Sequence, residues 1–249
     1  HRLSFAILGL SLSSARVTVV ISFLAIIFFT GMIIRKDFGD WAALITALFI
    51  AANYVGFAYS RLATMDLVAT AFVILSIFIA SKARNGKKLC KFVLAGAMLS
   101  LGILTKASVL FGIPILLLLA WEMGNGIKER LMLILAVSII IIVVFGGYRI
   151  VTEKIFPEDY ILYNRTTIQQ VFTTFHDWRW NLFEKLPGRL GGLGQVFLLF
   201  SVSITLIALA LSEKFRKNIV IHALIAYIII YIGMLSLNSY SPPRYYLPL

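Results

Sequence analysis

Long apolar runs separated by short polar breaks dominate the chain. A helix needs about 20 mostly apolar residues to cross the hydrocarbon core of a bilayer. Eight segments meet or approach that condition, at about 15–34, 41–59, 67–80, 92–104, 108–121, 131–148, 195–211 and 219–237. The third, fourth and fifth are short, so their flanking residues are expected to complete the crossing. The polar breaks divide into two kinds. One set carries Arg35 and Lys36, then Lys82, Arg84, Lys87, Lys88 and Lys91, then Lys128 and Arg130, then Lys214, Arg216 and Lys217. The opposite set carries Arg61, Lys106 and Arg244, with Arg2 and Arg16 near the start. Short cytoplasmic loops hold the excess of lysine and arginine in membrane proteins. The first set is therefore assigned to the cytoplasm. Alternating the eight spans puts every basic cluster on that side. The 60–66 turn, the 105–107 turn, the 149–194 segment and the C-terminus then share the extracytoplasmic side.

Residues 149–194 have a different pattern. Ile168, Val171, Phe172, Phe175, Trp178, Leu182 and Leu186 recur every three or four positions, with Gln169, Gln170, Thr173, Asp177, Arg179 and Lys185 between them. That spacing predicts an amphipathic helix lying in the membrane interface. Trp178 and Trp180 suit the head-group level. Such a helix serves either as a lid over a membrane-level cleft or as a passive anchor, and the pattern fits both.

Composition agrees with this picture. Of the 249 residues, 60% are hydrophobic and 14% charged, and mean hydropathy is +0.94. A soluble domain is nearer half apolar and a quarter charged. The fold class is all-α integral membrane. The net charge of +12 sits in short loops between apolar spans, which points to membrane topology and anionic lipid head groups, not to nucleic acid. One cysteine, Cys90, excludes an internal disulfide and a thiolate metal cluster. No pair of His, Asp or Glu has metal-ligand spacing on one helix, and His176 and His222 stand alone. No cofactor is demanded, although a divalent cation is compatible with the sequence. The chain opens at His1 without an initiator methionine; it is expected to be one membrane-embedded module, 1–249, of a longer protein.

Ionisable groups at a membrane boundary are costly and tend to be functional. Asp66 opens a predicted helix in the stretch Ser60-Arg61-Leu62-Ala63-Thr64-Met65-Asp66. Thr64 or Asp66 can cap that helix, and Arg61 can pair with Asp66 or reach a phosphate. Lys106 interrupts an otherwise apolar run from Phe92 to Trp121. It either snorkels to water or offers, with Thr105, a charge and a hydroxyl to a phosphate. Thr-Lys is a poor turn, because turns favour Gly, Asn, Asp or Pro. Arg244 follows Pro242 and Pro243, which stop the preceding helix. It can hold a phosphate through two parallel hydrogen bonds, or sit as an interfacial arginine beside Tyr245 and Tyr246. The glycine-rich stretch 188–194 follows no strand and is not a nucleotide loop. Asn164-Arg165-Thr166 matches a glycosylation acceptor on the matching side, a triplet common by chance.

Four stretches together carry a family resemblance. Gly9-Leu10-Ser11-Leu12-Ser13-Ser14-Ala15-Arg16 resembles the entry to the second membrane helix of the polytopic GT-C glycosyltransferases. Within that class the likeness is to the branch holding the dolichyl-phosphate-mannose–protein mannosyltransferases and the lipid A aminoarabinose transferase. The stretch Ser60 through Asp66 resembles that branch's short second outer loop. Leu101-Gly102-Ile103-Leu104-Thr105-Lys106 is similar to its G-x-x-x-T-K turn, and Arg244-Tyr245-Tyr246-Leu247-Pro248 to its R-Y-x-x-P stretch. Each motif is short; their order, sidedness and spacing give the specificity.

The resemblance implies GT-C architecture and transfer of a sugar from a polyprenyl-phosphate carrier to a protein, lipid or glycan acceptor on the extracytoplasmic face. It implies Lys106, Arg244, Arg61 and Arg16 as cations for the donor phosphate, and Asp66 as a second carboxylate. The family's principal acid lies in its first outer loop and is expected upstream of His1. Arg2 and Leu3 stand where the family has two prolines, so no role is carried to His1. The rival from another class is a multi-pass transporter or flippase for a lipid-linked or anionic substrate. Such a protein is expected to carry charges or broken helices near mid-membrane in related halves. Here the charges lie at the outer boundary and no internal repeat is evident.

Overall fold

A computed structural model describes residues 12–52, 65–85 and 87–155, with isolated positions at 213, 218, 222 and 225. The chain divides into two compact units, His1–Gly146 and Gly147–Leu249. The regular structure among the described residues is all helical, with no strand. In chain order the helices are α1 (Leu12–Phe38), α2 (Asp40–Ala52), α3 (Asp66–Ser81), α4 (Lys88–Thr105), α5 (Ile113–Met123) and α6 (Ile127–Ile155). Short 3-10 segments, Lys82–Asn85 and Ala107–Gly112, precede α4 and α5. The second unit is described only for the end of α6 and the isolated positions.

The sequence explains where these helices stop. Arg35 and Lys36 occupy the last turn of α1, where positive charge suits the helix dipole. Gly39 then takes φ +88°, a left-handed conformation that glycine adopts without a Cβ penalty. Its N–H donates to Arg35 O at 2.9 Å, and Asp40 opens α2. Lys87, at φ 51°, makes the corresponding reversal before α4. Pro114 sits in the first turn of α5, where its missing N–H costs nothing.

The core lies in the first unit. On α3 the buried positions are Asp66, Leu67, Ala69, Thr70, Val73, Ser76, Ile77, Ala80 and Ser81; on α4 they are Phe92, Ala95, Gly96, Leu99, Ser100, Gly102 and Ile103. Both sets follow the three-and-four spacing of one helix face. The two helices pack antiparallel on those faces. Glycines allow close approach on two sides of α4: a Cβ on Gly102 would lie 3.1 Å from Phe72 Cβ of α3, and one on Gly96 would collide with Ile140 Cγ2 of α6. Phe29 of α1 meets Phe78 of α3 with ring centroids 5.0 Å apart. In contrast, α2 has no buried residue; its Leu44, Ile45, Leu48 and Phe49 are exposed, as suits a lipid-facing helix.

Among the described residues, three helices are long and apolar enough to cross a membrane, Ser13–Phe38, Lys88–Thr105 and Ile127–Ile155. The protein is an all-α membrane protein. The shorter helices gain length from their flanks, as the apolar pattern predicts. The six-residue 3-10 segment Ala107–Gly112 and the 11 residues of α5, laid end to end, reach about 28 Å. Helix α4 starts at Lys88, four residues before the apolar run at 92, and α6 continues to Ile155, beyond the predicted end at 148. The segment read as an extracytoplasmic loop thus begins as helix. The predicted amphipathic helix and the last two spans lie outside the described residues.

Candidate functional site

The amine of Lys106 donates to Asp66 Oδ1, closing an ion pair between residues 40 positions apart. Its construction follows from the backbone at the end of α4. Lys106 is extended, at φ −157° and ψ 127°. Its N–H still donates to Gly102 O at 2.9 Å, while its carbonyl accepts from Val109 N at 3.1 Å. One residue therefore joins the end of α4 to the start of a 3-10 segment, and its side chain leaves the helix axis. Asp66 is the first residue of α3. The antiparallel packing of α3 and α4 brings that start beside the end of α4. The carboxylate side chain is 9% exposed and the lysine side chain 23%.

Gly102 sets the approach. A Cβ there would lie 3.0 Å from Val109 Cγ1, 3.1 Å from Phe72 Cβ and 3.5 Å from Ala69 O. No side chain fits without moving α4 from α3. The motif stretch containing Gly102 is visible in the sequence, but its packing role is not, because the residues it meets lie on another helix.

Two local expectations change. The N-cap of α3 is Met65, with no side-chain cap hydrogen bond. Asp66 faces its carboxylate to Lys106, so it does not cap; it keeps only the favourable charge of an acid in the first helical turn. The Thr105 hydroxyl donates to Leu101 O at 2.8 Å. That back-bond occupies its one proton, so the site offers the Lys106 ammonium and not a hydroxyl donor beside it.

Arg16 lies in the first turns of α1, exposed, and makes no ion pair among the described residues. Its end of the bundle is that of Asp66: Lys36, near the other end of α1, donates to Ser81 O at the far end of α3, at 3.0 Å. Arg61 and Arg244 lie outside the described residues. Among the described residues no three His, Cys, Asp or Glu side chains gather as a metal site.

The opposite end of the bundle uses its cations differently. Lys91 donates to Lys82 O at 2.6 Å, Lys88 to Met123 O at 2.7 Å and Arg130 to Gly124 O at 3.2 Å. With Lys36, these side chains donate to carbonyls at or just beyond helix C-termini, where cations suit the helix dipole. Lys88 also pairs with Glu129 at 3.2 Å, and Glu129 accepts from Asn125 N at 2.5 Å. The basic loops thus do structural work at one end, while Asp66 and Lys106 pair at the other.

Residues 1–147 match the family model described as dolichyl-phosphate-mannose-protein mannosyltransferase. The match covers more than half of the 249 residues and coincides with the unit that holds the ion pair. The chain belongs to this mannosyltransferase family. Among curated proteins and among solved structures, none matches it. Membership makes the chain a membrane glycosyltransferase. Within the family match fall Arg16, Arg61, Asp66 and Lys106; Arg244 falls beyond it.

Proposed function

We propose that this glycosyltransferase has GT-C architecture and moves a sugar from a polyprenyl-phosphate-linked donor to a hydroxyl of a protein, lipid or glycan acceptor. The observation that carries the reading is the Asp66–Lys106 pair at the end of α3 and α4 away from the basic set. By the positive-inside rule that end is extracytoplasmic, and the protein is multi-pass. The family description, which names a dolichyl-phosphate-linked mannose and a protein, supports this donor chemistry.

The roles follow from charge. Breaking the bond between sugar C1 and phosphate oxygen leaves extra negative charge on the departing phosphate. A fixed cation stabilises that charge most in the transition state. Lys106 is that cation, with Arg16, Arg61 and Arg244 as further phosphate contacts. The acceptor hydroxyl must lose a proton as it attacks, and a carboxylate within hydrogen-bond reach assists. Asp66 is the second carboxylate, positioning the acceptor.

The test is transfer of radiolabelled sugar from polyprenyl-phosphate donors in membranes carrying the full-length protein. Asp66→Asn and Lys106→Ala are each expected to cut transfer by at least tenfold while the protein still inserts. Label that crosses the membrane while still on its carrier would favour a flippase. Full transfer by both variants would remove the site assignment.

A further inference from the structure

We infer that the Asp66–Lys106 ion pair is an exchange switch, in which the carrier-lipid phosphate takes Lys106 from Asp66 and so frees the carboxylate for the acceptor hydroxyl. This deepens the proposed donor chemistry and rests on it. The pair as observed presents little net charge to an incoming anion, because the ammonium donates to Asp66 Oδ1. A phosphate must therefore compete with the carboxylate for the same N–H groups.

The geometry suits a competition. Asp66 is fixed: it is the first residue of α3, 8% exposed, and Thr70 Oγ1 holds its backbone carbonyl at 2.9 Å. Lys106 is the adjustable partner. It sits at the single extended residue between α4 and the following 3-10 segment, and its charge rides on a flexible four-carbon stem. The lysine side chain is also the more exposed of the two, at 23% against 9%. An anion arriving from the membrane surface meets the ammonium before the carboxylate.

Three consequences follow. Donor binds before acceptor, because the carboxylate is occupied until Lys106 leaves it. Without donor, Asp66 stays occupied and does not position water or a stray hydroxyl. After transfer, the carrier remains as a phosphate monoester carrying between one and two negative charges at neutral pH, which holds Lys106 more strongly than the diester did. Asp66 is then the built-in competitor that returns to Lys106 and helps expel the spent carrier.

The experiment measures binding of polyprenyl phosphate to the whole protein in nanodiscs of neutral lipid. Wild type, Asp66→Asn, Lys106→Gln and the double variant form a cycle. Exchange predicts that Asp66→Asn binds about tenfold tighter while transfer falls. In the Lys106→Gln background the same change alters binding less than twofold. Equal tightening in both backgrounds means simple charge repulsion and overturns the exchange, leaving the donor reading intact. Weaker binding by Asp66→Asn also overturns it. No binding by any of the four proteins overturns both the exchange and the reading beneath it.

Lys106→Gln leaves a buried carboxylate without its ammonium and can fail to fold. Difference infrared spectroscopy of the wild type needs no such variant. Adding polyprenyl phosphate is expected to shift a carboxylate stretching band, and the shift is expected to be absent from Asp66→Asn. An unshifted band at saturating polyprenyl phosphate overturns the proposal. Inorganic phosphate producing the full shift at the same concentration overturns the assignment to a lipid-linked phosphate.

Discussion

Substituting Gly102 separates the packing of the site from its chemistry. An alanine Cβ there would meet Val109 Cγ1 at 3.0 Å and Phe72 Cβ at 3.1 Å. Carbon atoms in comfortable contact stand about 3.5–4.0 Å apart, so both contacts are short by roughly half an ångström. Val109 can rotate, but Phe72 Cβ is fixed to the α3 backbone, so α3 and α4 must part. Overpacking of this kind costs about 1–3 kcal/mol. Alanine regains about 1 kcal/mol over glycine in a helix interior. Gly102→Ala should therefore cost about 1 kcal/mol, a fall in Tm of about 2–4 °C for a chain of this size. Transfer should suffer more. Lys106 N–H donates to Gly102 O, so a displacement at 102 is passed directly to the residue carrying the ammonium. A misplacement near 1 Å can cost about a hundredfold in rate, and half of that predicts about tenfold. Gly102→Val, with two more methyl groups, should lose at least a hundredfold. The assays are thermal unfolding in detergent and sugar transfer in membranes. A Gly102→Val protein with wild-type Tm and wild-type transfer would refute the claim that this glycine sets the distance between Asp66 and Lys106.

Other perturbations test other parts of the frame. Lys88→Met removes the 2.7 Å bond to Met123 O and the 3.2 Å pair with Glu129; it should lower stability by about 2 kcal/mol, read as a lower Tm, with transfer per folded molecule within twofold of wild type. Gly39→Ala meets no atom within 4 Å, so any loss reports backbone strain at φ +88° alone. That loss should be about 1–2 kcal/mol by thermal unfolding, and an unchanged Tm would show that the α1–α2 turn relaxes. Cys90 is the chain's single cysteine and is exposed on the first turn of α4, at the end away from Asp66. A membrane-impermeant maleimide should label it only from the cytoplasmic side, with Cys90→Ser as the control. Labelling from outside would invert the assignment of the active face.

Asp66 and Lys106 were legible in the sequence because each places a charge where an apolar run makes charge expensive. Their partnership was not legible. Hydrophobic periodicity shows which face of α3 and which face of α4 are buried, but not how far one helix slides along the other. That register depends on the reversal at Lys87 and on the contact of Gly102 with Phe72 and Ala69, features of two helices at once. Helix boundaries failed in a consistent direction. The apolar count begins α4 at 92, yet the helix starts at Lys88, because lysines there reach carbonyls of neighbouring helix ends with their charged tips. The same count cannot distinguish a 3-10 segment from an α-helix, so five of the six residues before α5 read as part of a span. The capping role open to Asp66 also failed, since a nearby ammonium attracts a carboxylate more strongly than a neutral amide does.

The two ends of the α3–α4 hairpin show why the same residue type serves different purposes. At the basic end, Lys36 and Lys91 both donate to carbonyls at the end of α3, on Ser81 and Lys82. Two cations there complement the negative end of the helix dipole. These cations thus fasten α1 and α4 to α3. At the far end a side-chain carboxylate, Asp66, takes the Lys106 amine. A lysine bound to a backbone carbonyl has no anionic partner to exchange, whereas Lys106, on its flexible stem beside the fixed Asp66 carboxylate, does. Fixing the hairpin firmly at one end allows the other to hold a pair that can open without unfolding the helices. Such an arrangement suits the proposed binding and release of a charged lipid.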